Sequence, residues 1–485
     1  MSDTAARAER QRVAVAETPE TASRTRSLAA DLTARGNEVS VVAPSALDVE
    51  VTPPYLSESY ALYCALRNGG FAAIVFPDAG GLAYCAARAR QAGTDFGSTA
   101  IVVECRAPTL RAFRETGAPF LSKRLLGTIA SERLALELAD AVVCEDPRVL
   151  DWFEHEGWAL PEQRLQSVSD IRPLPARAEV EGSQPLVSVV VPYHERTAYL
   201  PHCLEGLARQ TYPALEVLIA DDGSVSGSAL RQLRDLEARS WPWPFRVLHL
   251  PHGGLGAARN GGWRAASADL VLFIDEDDVA FDGLVEGLWR ARRSAAADIA
   301  VAGARFFRGQ GPPSAGPGDV IRISLCDPGE LGLISNQYGG PVNLWPRTTL
   351  EQLGGFALVP NEDWDLLARA AMAGARVTTS PEPLYWYRQT PGSMYSADPA
   401  AFRDAGVPAI SARFAEQLPA GMKLVPQLAA GAYSELERRR RDDRSRLGAL
   451  DDRARLLRRR VQAAWRQEGA AGVLRGAFRL ARRHS

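Results

Sequence analysis

Short apolar runs alternate with helical patterns along the first third of the chain. The runs are apolar at nearly every position, as in RVAVA at Arg12–Ala16 and TAIVV at Thr99–Val103. Further runs of this kind lie at Val39–Ala43, Phe71–Phe76 and Ala141–Cys144. Strands that are apolar on both faces are typical of a parallel sheet with helices on both sides. The pattern therefore predicts an α/β fold that begins with a Rossmann-like parallel-sheet domain at residues 11–170.

The same alternation restarts after a stretch rich in proline and polar residues, which we interpret as a linker at residues 171–185. New apolar runs, separated by helical patterns, follow at Leu186–Pro192, Leu215–Asp222, Phe245–Leu250 and Asp269–Asp275. A loop at Gly309–Asp319 contains too much glycine and proline for regular structure. We therefore predict a second α/β domain at residues 186–405.

The C-terminal region, residues 406–485, is predicted to be helical and basic. From Ser434 to Ser485 it carries 16 arginines against seven acidic residues. One interpretation is a solvated helical hairpin or coiled coil. The other is a helix on a membrane surface, because the stretch GVLRGAFRLARRHS sets an apolar face between arginines.

Composition limits the class of protein and its compartment. The net charge of −2 provides no global field that would attract nucleic acid, so no nucleic-acid partner is expected. The six cysteines include no C-x-x-C pair, which indicates buried free thiols in a reducing compartment. The first ten residues are expected to be disordered, and the sequence contains neither a signal-peptide core nor a long apolar span. We expect a cytoplasmic protein, peripheral at the inner face of the membrane if the basic helix binds lipid.

Acidic residues end two of the apolar runs in the second domain. The run LIADDGS ends in Asp221 and Asp222, and DLVLFIDEDD ends in four consecutive acids. Ligands of open parallel sheets bind beyond the carboxyl ends of the strands, where Asp222 could accept hydrogen bonds from a base or a ribose. The alternative is that Asp221 and Asp222 only cap the next helix.

The four acids at Asp275–Asp278 predict a cation site. Like charges repel, so the cluster is costly unless a cation neutralises it. Carboxylate oxygens suit Mg²⁺ or Mn²⁺, and such an ion can hold a diphosphate and stabilise the charge of a leaving group. Arg259 lies in a glycine-rich stretch just upstream and is expected near the same strand ends. A solvated acidic turn is the alternative.

Two further stretches carry groups suited to a binding cleft. Tyr193 and His194 follow a buried run, where an aromatic or imidazole ring can stack on a base; an ordinary strand end is the alternative. Glu362 and Asp363 open a predicted helix, whose dipole favours an ionised carboxylate that can take a proton from a hydroxyl. Plain helix capping is the alternative here. Arg388 lies downstream in YWYRQ and could line a phosphate or sugar pocket.

These stretches occur in an ordered set that resembles the family 2 glycosyltransferases, which have the GT-A fold. The set is VSVVVPYHE, DDGS, ARN, DEDD, GGF and EDWDL, within residues 185 to about 395. The resemblance implies inverting transfer of a sugar from a UDP-, GDP- or dTDP-linked donor to a hydroxyl of a glycan or lipid-linked acceptor. It also implies Mn²⁺ or Mg²⁺ as cofactor and a role in the synthesis of cell-surface polysaccharide or other glycoconjugates.

The resemblance further implies a role for each matching residue. The donor-binding residues would be Pro192, Tyr193, His194, Glu195, Asp222, Arg259, Asp275 and Glu276, with the His194–Glu195 pair in place of the usual Tyr-Asn. Asp222 would contact the base, and Asp277 would be the direct metal ligand of a D-x-D element, with Asp275 beside it. Asp363 would be the catalytic base, with Glu362 near the acceptor. Trp364 and Arg388 would contact acceptor or phosphate.

The first domain resembles the N-terminal half of a family 4, GT-B glycosyltransferase, on the stretches RVAVAE, SLAADLTARGNEVSVVAP and ADAVVCEDPRVLDWFEHEGW. No glycine follows its first strand, and nothing resembles the second GT-B half. A non-catalytic or acceptor-binding module and a truncated active transferase are the two interpretations. For the whole chain, a nucleotide-sugar-binding scaffold without turnover is the main alternative. A dinucleotide oxidoreductase is disfavoured because no G-x-G-x-x-G follows any strand of the first domain.

Overall fold

The structure, a computed structural model, describes residues 11–116, 122–171, 182–359 and 361–390, together with residues 410, 412, 413 and 415. The N-terminus that we predict to be disordered, most of the predicted linker and the basic helices predicted from Ser434 onward lie outside the described residues. The predicted membrane contact of the basic tail therefore stays a prediction.

The strands and helices of the described residues are numbered along the chain. The strands are β1 (Arg12–Ala16), β2 (Glu38–Val42), β3 (Glu50–Thr52), β4 (Ala73–Pro77), β5 (Ala100–Glu104), β6 (Ala141–Val143), β7 (Gln163–Leu165), β8 (Val187–Tyr193), β9 (Leu215–Asp222), β10 (Phe245–Leu250), β11 (Leu270–Phe273), β12 (Val279–Ala280), β13 (Ile299–Arg308), β14 (Val320–Arg322), β15 (Asn343–Pro346) and β16 (Val377–Gln389). The α-helices are α1 (Ala22–Ala34), α2 (Ser57–Leu66), α3 (Tyr84–Ala92), α4 (Thr109–Thr116), α5 (Lys123–Leu138), α6 (Pro147–His155), α7 (Leu200–Ala208), α8 (Gly227–Ala238), α9 (Leu255–Ala265), α10 (Leu284–Ser294), α11 (Arg347–Leu353) and α12 (Glu362–Met372). Short 3₁₀ helices lie at Pro54–Leu56, Ala79–Gly81, Val168–Asp170 and Gly329–Leu333.

The first region forms a parallel six-stranded sheet in the order β2-β1-β4-β5-β6-β7. One face buries Val13, Val15 and Val102, and the other buries Ala14, Ile74 and Ile101. Because side chains alternate between the faces of a strand, continuous apolar runs fill both layers. The predicted Rossmann-like parallel sheet is confirmed.

The second region forms a mixed sheet of ten strands. β10, β9, β8 and β11 run parallel, and β15 then pairs antiparallel with β11 and β13. β16 pairs with β13 and β12 beside this main order. Every residue of β8 and β9 is buried, as their apolar runs predict. The α/β class is therefore confirmed in both regions, and the segment Gly309–Asp319 contains no helix or strand, as predicted.

One strand of the second sheet comes from the first region. β3 pairs in parallel with β14, with Glu50 opposite Val320 and Thr52 opposite Arg322. The backbone N–H of Glu50 donates to Asp319 at 2.8 Å, and that of Ile323 donates to Thr52 at 2.9 Å. The sequence patterns do not predict this strand, because EVT is too short to show periodicity. The described residues accordingly belong to one compact unit that ends at Gln417.

The cysteines of the chain lie in or beside the cores. All six are free, and five of them are buried, with Cys64 half-buried. Burial raises the pKa of the Cys85 and Cys326 thiols to about 12. Thiols of this kind behave as small apolar side chains, as predicted. Among the described helices, none combines the length and the apolar character that crossing a membrane requires.

Candidate functional site

A cleft of about 790 Å³ lies where β8, β9 and β11 end. Of the predicted site residues, the cleft is lined by Pro192, Tyr193, His194, Asp222, Arg259, Asp275, Glu276, Asp277, Glu362, Asp363 and Trp364. The carboxyl ends of neighbouring parallel strands meet at one edge of a sheet, so motifs far apart in sequence converge there. Glu195 and Arg388 are the two predicted residues that do not line the cleft.

Asp222, the last residue of β9, is held in the cleft by backbone amides. Its carboxylate accepts the N–H of Gly253 at 2.8 Å and that of Gly254 at 2.9 Å. Neither Asp221 nor Asp222 caps the next helix, because the N-cap of α8 is Ser226, whose side chain accepts the N–H of Ala229. The capping alternative is therefore wrong for this pair. Asp222 lies at the rim of the cleft in a fixed orientation.

Two histidine rings stack beside Asp222. The rings of His194 and His252 have centroids 4.8 Å apart and an interplanar angle of 28°. Their Nδ1 atoms lie 2.9 Å and 3.1 Å from the Asp222 carbonyl oxygen. Within the described part of the chain, Asp222, His194 and His252 bring possible metal-ligand atoms within 4.8 Å of one another. The same exposed pair of rings offers a flat surface on which a base can stack.

Guanidinium groups pair with three of the four acids in the cluster. Asp275 accepts from Arg259 at 2.5 Å, while Arg196 contacts Glu276 at 3.1 Å and Asp277 at 2.7 Å. We predicted that the repulsion among these acids is costly unless a cation neutralises it. Arg196 and Arg259 supply positive charge of this kind. A divalent ion at Asp277 would therefore compete with Arg196.

The fourth acid of the cluster does not face the cleft. Asp278 is 1% exposed, and it accepts the backbone N–H of Arg388 at 3.0 Å. Burial first, and then the charge of Asp277, raises the pKa of the Asp278 carboxyl. Burial likewise raises the pKa of Glu276 to about 8 and raises that of Asp277. Since burial and mutual repulsion disfavour the ionised forms, these carboxyls favour further positive charge beside them.

The donor set of the cleft fits a hard divalent cation. Asp275 and Asp277 are separated by one residue, both line the cleft, and both offer carboxylate oxygens. Mg²⁺ and Mn²⁺ prefer oxygen ligands and bind through one or two carboxylates when a diphosphate supplies the remaining ligands. The side chains present therefore suit such an ion better than they suit a soft metal.

Glu362 and Asp363 begin α12 at the other end of the cleft. Asn361 precedes them in the left-handed conformation, with φ of 58°, and turns the chain into the helix. Glu362 pairs with Arg259, which is 2% exposed and also holds Asp275. Burial raises the pKa of Asp363, and the positive charges of Arg259 and Arg322 oppose that rise. The helix-dipole argument predicts an easily ionised carboxylate, but desolvation outweighs the dipole here.

Glu195 and Arg388 support the cleft from outside it. The Glu195 carboxylate accepts the N–H of Val225 at 2.5 Å and that of Ser226 at 2.9 Å. A hydrogen bond from the Ser226 side chain, together with these two N–H groups, lowers the pKa of Glu195 to about 2. Arg388 is buried and donates to the carbonyl oxygens of Asp277 at 2.8 Å and Gly309 at 2.6 Å. Glu195 thus fixes the start of α8, and Arg388 fixes the acidic turn from behind.

Trp364 lies at the cleft, but its side chain is engaged in packing. The Nε1 atom donates to the carbonyl oxygen of Gly332 at 3.1 Å. The side chain is 1% exposed and is among the largest fully buried groups of the described residues. Trp364 therefore supports the cleft and has almost no side-chain surface to offer a ligand.

The ARN and GGF stretches lock together under the cleft. Asn260 donates to the Phe356 carbonyl oxygen at 2.8 Å and accepts the Phe356 N–H at 2.9 Å. The same oxygen of Asn260 accepts the indole N–H of Trp263 at 2.9 Å. A Cβ atom on Gly355 would overlap Asn260, so this position admits only glycine. The two stretches therefore orient α9, which carries Arg259.

Several cleft residues were missed by sequence reasoning. They are Arg196, His252, Arg322, Gln337 and, from the first region, Thr52 and Pro53. Arg196 lies one residue after YHE and His252 one residue before the glycine-rich stretch, so proximity to those motifs could have indicated both. Thr52 and Gln337 carry no sequence signal, because the pairing of β3 with β14 brings them in.

Comparisons with known proteins match the part of the chain that contains most of the cleft residues. Residues 188–324 match the family model described as Glycosyl transferase family 2. The chain is 31% identical over 126 residues to the uncharacterized glycosyltransferase EpsJ of Bacillus subtilis (strain 168), covering 26% of this chain and 35% of that protein. It is 32% identical over 119 residues to glycosyltransferase GlyG of Streptococcus pneumoniae serotype 4, covering 24% of this chain and 38% of that protein.

The chain also has distant structural likenesses. The mannosyltransferase PcManGT from Pyrobaculum calidifontis, solved in complex with GDP-Man and Mn²⁺, superposes with a TM-score of 0.39 at 18% identity. That likeness covers 62% of this chain and 80% of the other. The chain spans little more than a third of the length of the two curated relatives above. Residues 188–324 thus match family 2 of the glycosyltransferases, and both of these relatives are glycosyltransferases by name.

Proposed function

We propose that the protein is an inverting glycosyltransferase that moves a sugar from a nucleoside-diphosphate donor to a hydroxyl of a glycan or lipid-linked acceptor. The observation that carries the proposal is that Asp222, Asp277 and Asp363 line one cleft, although they lie on three separate segments. In such a cleft, Asp222 can bind the nucleobase of the donor, and Asp277 can bind a cation that holds the diphosphate. Asp363 can take the proton of the acceptor hydroxyl. In line with the resemblance, the product would belong to a cell-surface polysaccharide or another glycoconjugate.

The donor would lie between the histidine pair and the acidic turn. Asp222 would accept from the base, with the rings of His194 and His252 beneath it, and Glu276 would approach the ribose. Mn²⁺ or Mg²⁺, held by Asp277 and Asp275, would stabilise the negative charge that develops on the diphosphate. Arg259 reinforces this side by fixing Asp275 at 2.5 Å.

Asp363 would serve as the general base. Its neighbour Glu362 already pairs with Arg259, which leaves Asp363 as the better acceptor for a proton. Burial raises the pKa of Asp363, and a stronger base takes a hydroxyl proton more readily provided that it is ionised. The acceptor oxygen loses its proton to Asp363 and bonds to the anomeric carbon while the bond to the diphosphate breaks. One displacement of this kind inverts the anomeric configuration.

The first region is proposed to be a non-catalytic module. At the carboxyl edge of its sheet, Glu104 is bound by Arg24 at 2.6 Å, and Glu145 is bound by Arg106 at 3.3 Å. The Arg24–Glu104 pair occupies part of the edge where a ligand of such a sheet would bind, whereas the Arg106–Glu145 pair is exposed and lines a cavity of about 400 Å³ there. The proposal of a non-catalytic module therefore rests on the sequence, in which nothing resembles the second half of a GT-B transferase.

Incubation with a panel of UDP-, GDP- and dTDP-sugars, with and without Mn²⁺, tests the proposal. We expect one donor to be consumed in the wild type and not in Asp363→Asn, while calorimetry shows nearly unchanged nucleotide affinity in that variant. Asp277→Ala should remove the gain in nucleotide affinity that Mn²⁺ provides. Asp282→Asn is the matched control. Asp282 is an exposed acid that follows the acidic turn and pairs with Arg209.

Two outcomes would contradict the proposal. Consumption of donor by Asp363→Asn at the wild-type rate would show that Asp363 is not the general base. A wild type that binds nucleotide but consumes no donor with any acceptor would support a nucleotide-sugar-binding scaffold instead.

A further inference from the structure

The first region contributes directly to the wall of the cleft. Thr52 and Pro53 line it at the point where β3 leaves its pairing with β14. Thr52 lies opposite Arg322 in the strand register, and Arg322 lines the same cleft. The end of β3 is therefore part of the site, and not only a support for the sheet.

A second part of this wall is positioned by the first region. The segment Ile334–Gln337 lines the cleft, and the Gln337 side chain accepts the hydroxyl of Tyr55 at 3.0 Å. The Gln337 carbonyl oxygen accepts the N–H of Leu325 at 2.9 Å. Leu325 is in turn bound through its carbonyl oxygen by Arg88, at 2.9 Å, from helix α3 of the first region. We call Thr52, Pro53 and Ile334–Gln337 the first-region wall.

The first-region wall is linked through two neighbouring residues to Asp363, the proposed general base. The charge of Arg322, which lies opposite Thr52, acts on Asp363. Trp364, next to Asp363, donates its indole N–H to Gly332, two residues before the wall segment begins. Asp222, by contrast, is held by the glycine-rich stretch after β10. With the donor bound beside Asp222, we expect the acceptor hydroxyl to approach Asp363 beside the first-region wall.

The chemistry of the wall suits a carbohydrate. Thr52 and Ser335 carry hydroxyls, and Asn336 and Gln337 carry amides, so the wall contains donors and acceptors without a formal charge. Gln337 donates to Ser335 at 3.2 Å, and Asn336 accepts the N–H of Gly339 at 3.4 Å, so a ligand would bind to groups that are already oriented. Neutral hydrogen-bonding groups match the hydroxyls of a sugar, which both donate and accept hydrogen bonds.

We propose that the first-region wall is the acceptor subsite, and that the first region thereby selects a carbohydrate acceptor for the cleft. The inference rests on the proposed function, since the word acceptor presupposes transfer. It gives the first region a role in specificity. Tyr55 is a positioning residue, because it touches Gln337 and does not line the cleft.

Binding of the full-length protein to a printed array of defined oligosaccharides tests the inference. The labelled protein is applied with Mn²⁺ and UDP, GDP or dTDP, so that no sugar can be transferred. We expect Thr52→Val, Gln337→Ala and Tyr55→Phe each to lower retention by about three- to tenfold, as loss of one hydrogen bond predicts. Tyr60→Phe is the matched control, because Tyr60 is a buried tyrosine of the same core that does not line the cleft.

The outcomes separate this inference from the proposed function. Equal retention of all variants, retention of none, or an equal loss in Tyr60→Phe would overturn the acceptor subsite. Glycan binding that depends on Tyr55 and Gln337, in a protein that consumes no nucleotide sugar, would support the wall as a glycan site and contradict the transferase alone. Nucleotide affinity, measured by calorimetry, should be the same in all four variants.

Discussion

The guanidinium of Arg196 lies 2.7 Å from the carboxylate of Asp277, where a divalent cation is expected to bind. It also contacts Glu276 at 3.1 Å and stacks over Tyr199 at 5.0 Å. The Arg196 side chain is 39% exposed and that of Asp277 is 14% exposed, so solvent screens this pair from the arginine side. Metal binding at Asp277 should therefore be an exchange of one cation for another.

Replacing Arg196 should strengthen binding of Mn²⁺. We expect Arg196→Gln to raise the affinity for Mn²⁺ alone by about two- to fivefold, because a partly exposed ion pair is worth less than about 1 kcal/mol. Arg196→Lys keeps the positive charge but loses the planar guanidinium group. The Mn²⁺ affinity of this variant should therefore lie between those of the wild type and Arg196→Gln. Electron paramagnetic resonance of free Mn²⁺ in a titration measures these affinities without turnover.

Arg322→Gln controls for the general loss of positive charge from the cleft. Arg322 lines the cleft but donates to the carbonyl oxygens of Asn336 and Gly339, and not to the acidic turn. Its replacement should change Mn²⁺ affinity less than that of Arg196. Equal gains in Mn²⁺ affinity in both variants would contradict the competition between Arg196 and the metal. They would show that the electrostatic potential of the cleft, and not release of Asp277 from Arg196, determines the Mn²⁺ affinity.

Adjacent glycines after α11 should differ sharply in their tolerance of alanine. Gly354 and Gly355 both have φ of 75°, but a Cβ on Gly354 meets open space, whereas one on Gly355 overlaps Asn260. Gly354→Ala should cost about 1 kcal/mol of unfolding free energy from backbone strain alone. Gly355→Ala should cost about 3 kcal/mol or more, since overpacking adds to that strain. Urea denaturation measures both, and similar costs would contradict the proposed lock between ARN and GGF.

The rate of donor consumption should fall with decreasing pH at values above those expected for an ordinary aspartate. Asp363 must be ionised to accept a proton, and burial raises its pKa, so protonation inactivates it earlier on acidification. Arg322→Gln removes a positive charge that lowers the pKa of Asp363, and the acid limb should therefore move to higher pH.

Profiles of kcat/KM against pH in the wild type and Arg322→Gln measure the shift. Arg305→Gln is the control, because Arg305 pairs with Asp319 at 2.8 Å and is not a source of the shift at Asp363. A limb that does not move in Arg322→Gln, or that moves equally in Arg305→Gln, would contradict Asp363 as the titrating base.

The convergence of the cleft was predictable from strand patterns. Asp222 and Asp277 follow buried apolar runs, and parallel strands share a carboxyl edge, so their meeting follows from fold class alone. Asp363 required the resemblance to a family, because a helix start does not show which edge it faces. The depth of each carboxylate was not predictable. For Asp278 and Asp363 burial decides the pKa, and burial depends on packing from elements far along the chain.

The first-region wall could not be derived from the sequence for a different reason. Tyr55 and Gln337 are 282 positions apart, and no local pattern links them. β3 has three residues, too few for either period of hydrophobicity to appear. Arg196 was missed because ion pairs across a cleft depend on rotamers, whereas sequence spacing gives only the position of the backbone.

The shared strand has a consequence for how the molecule folds. β3 is synthesised long before β14, and contacts so distant in sequence form slowly because the intervening chain must close into a loop. Until β14 is in place, β3 carries unpaired backbone groups of the kind that promote association between chains. Once β3 and β14 are paired, the two sheets should unfold in a single cooperative transition. A destabilising substitution far from the cleft in one region should then also destabilise the other region through this pairing.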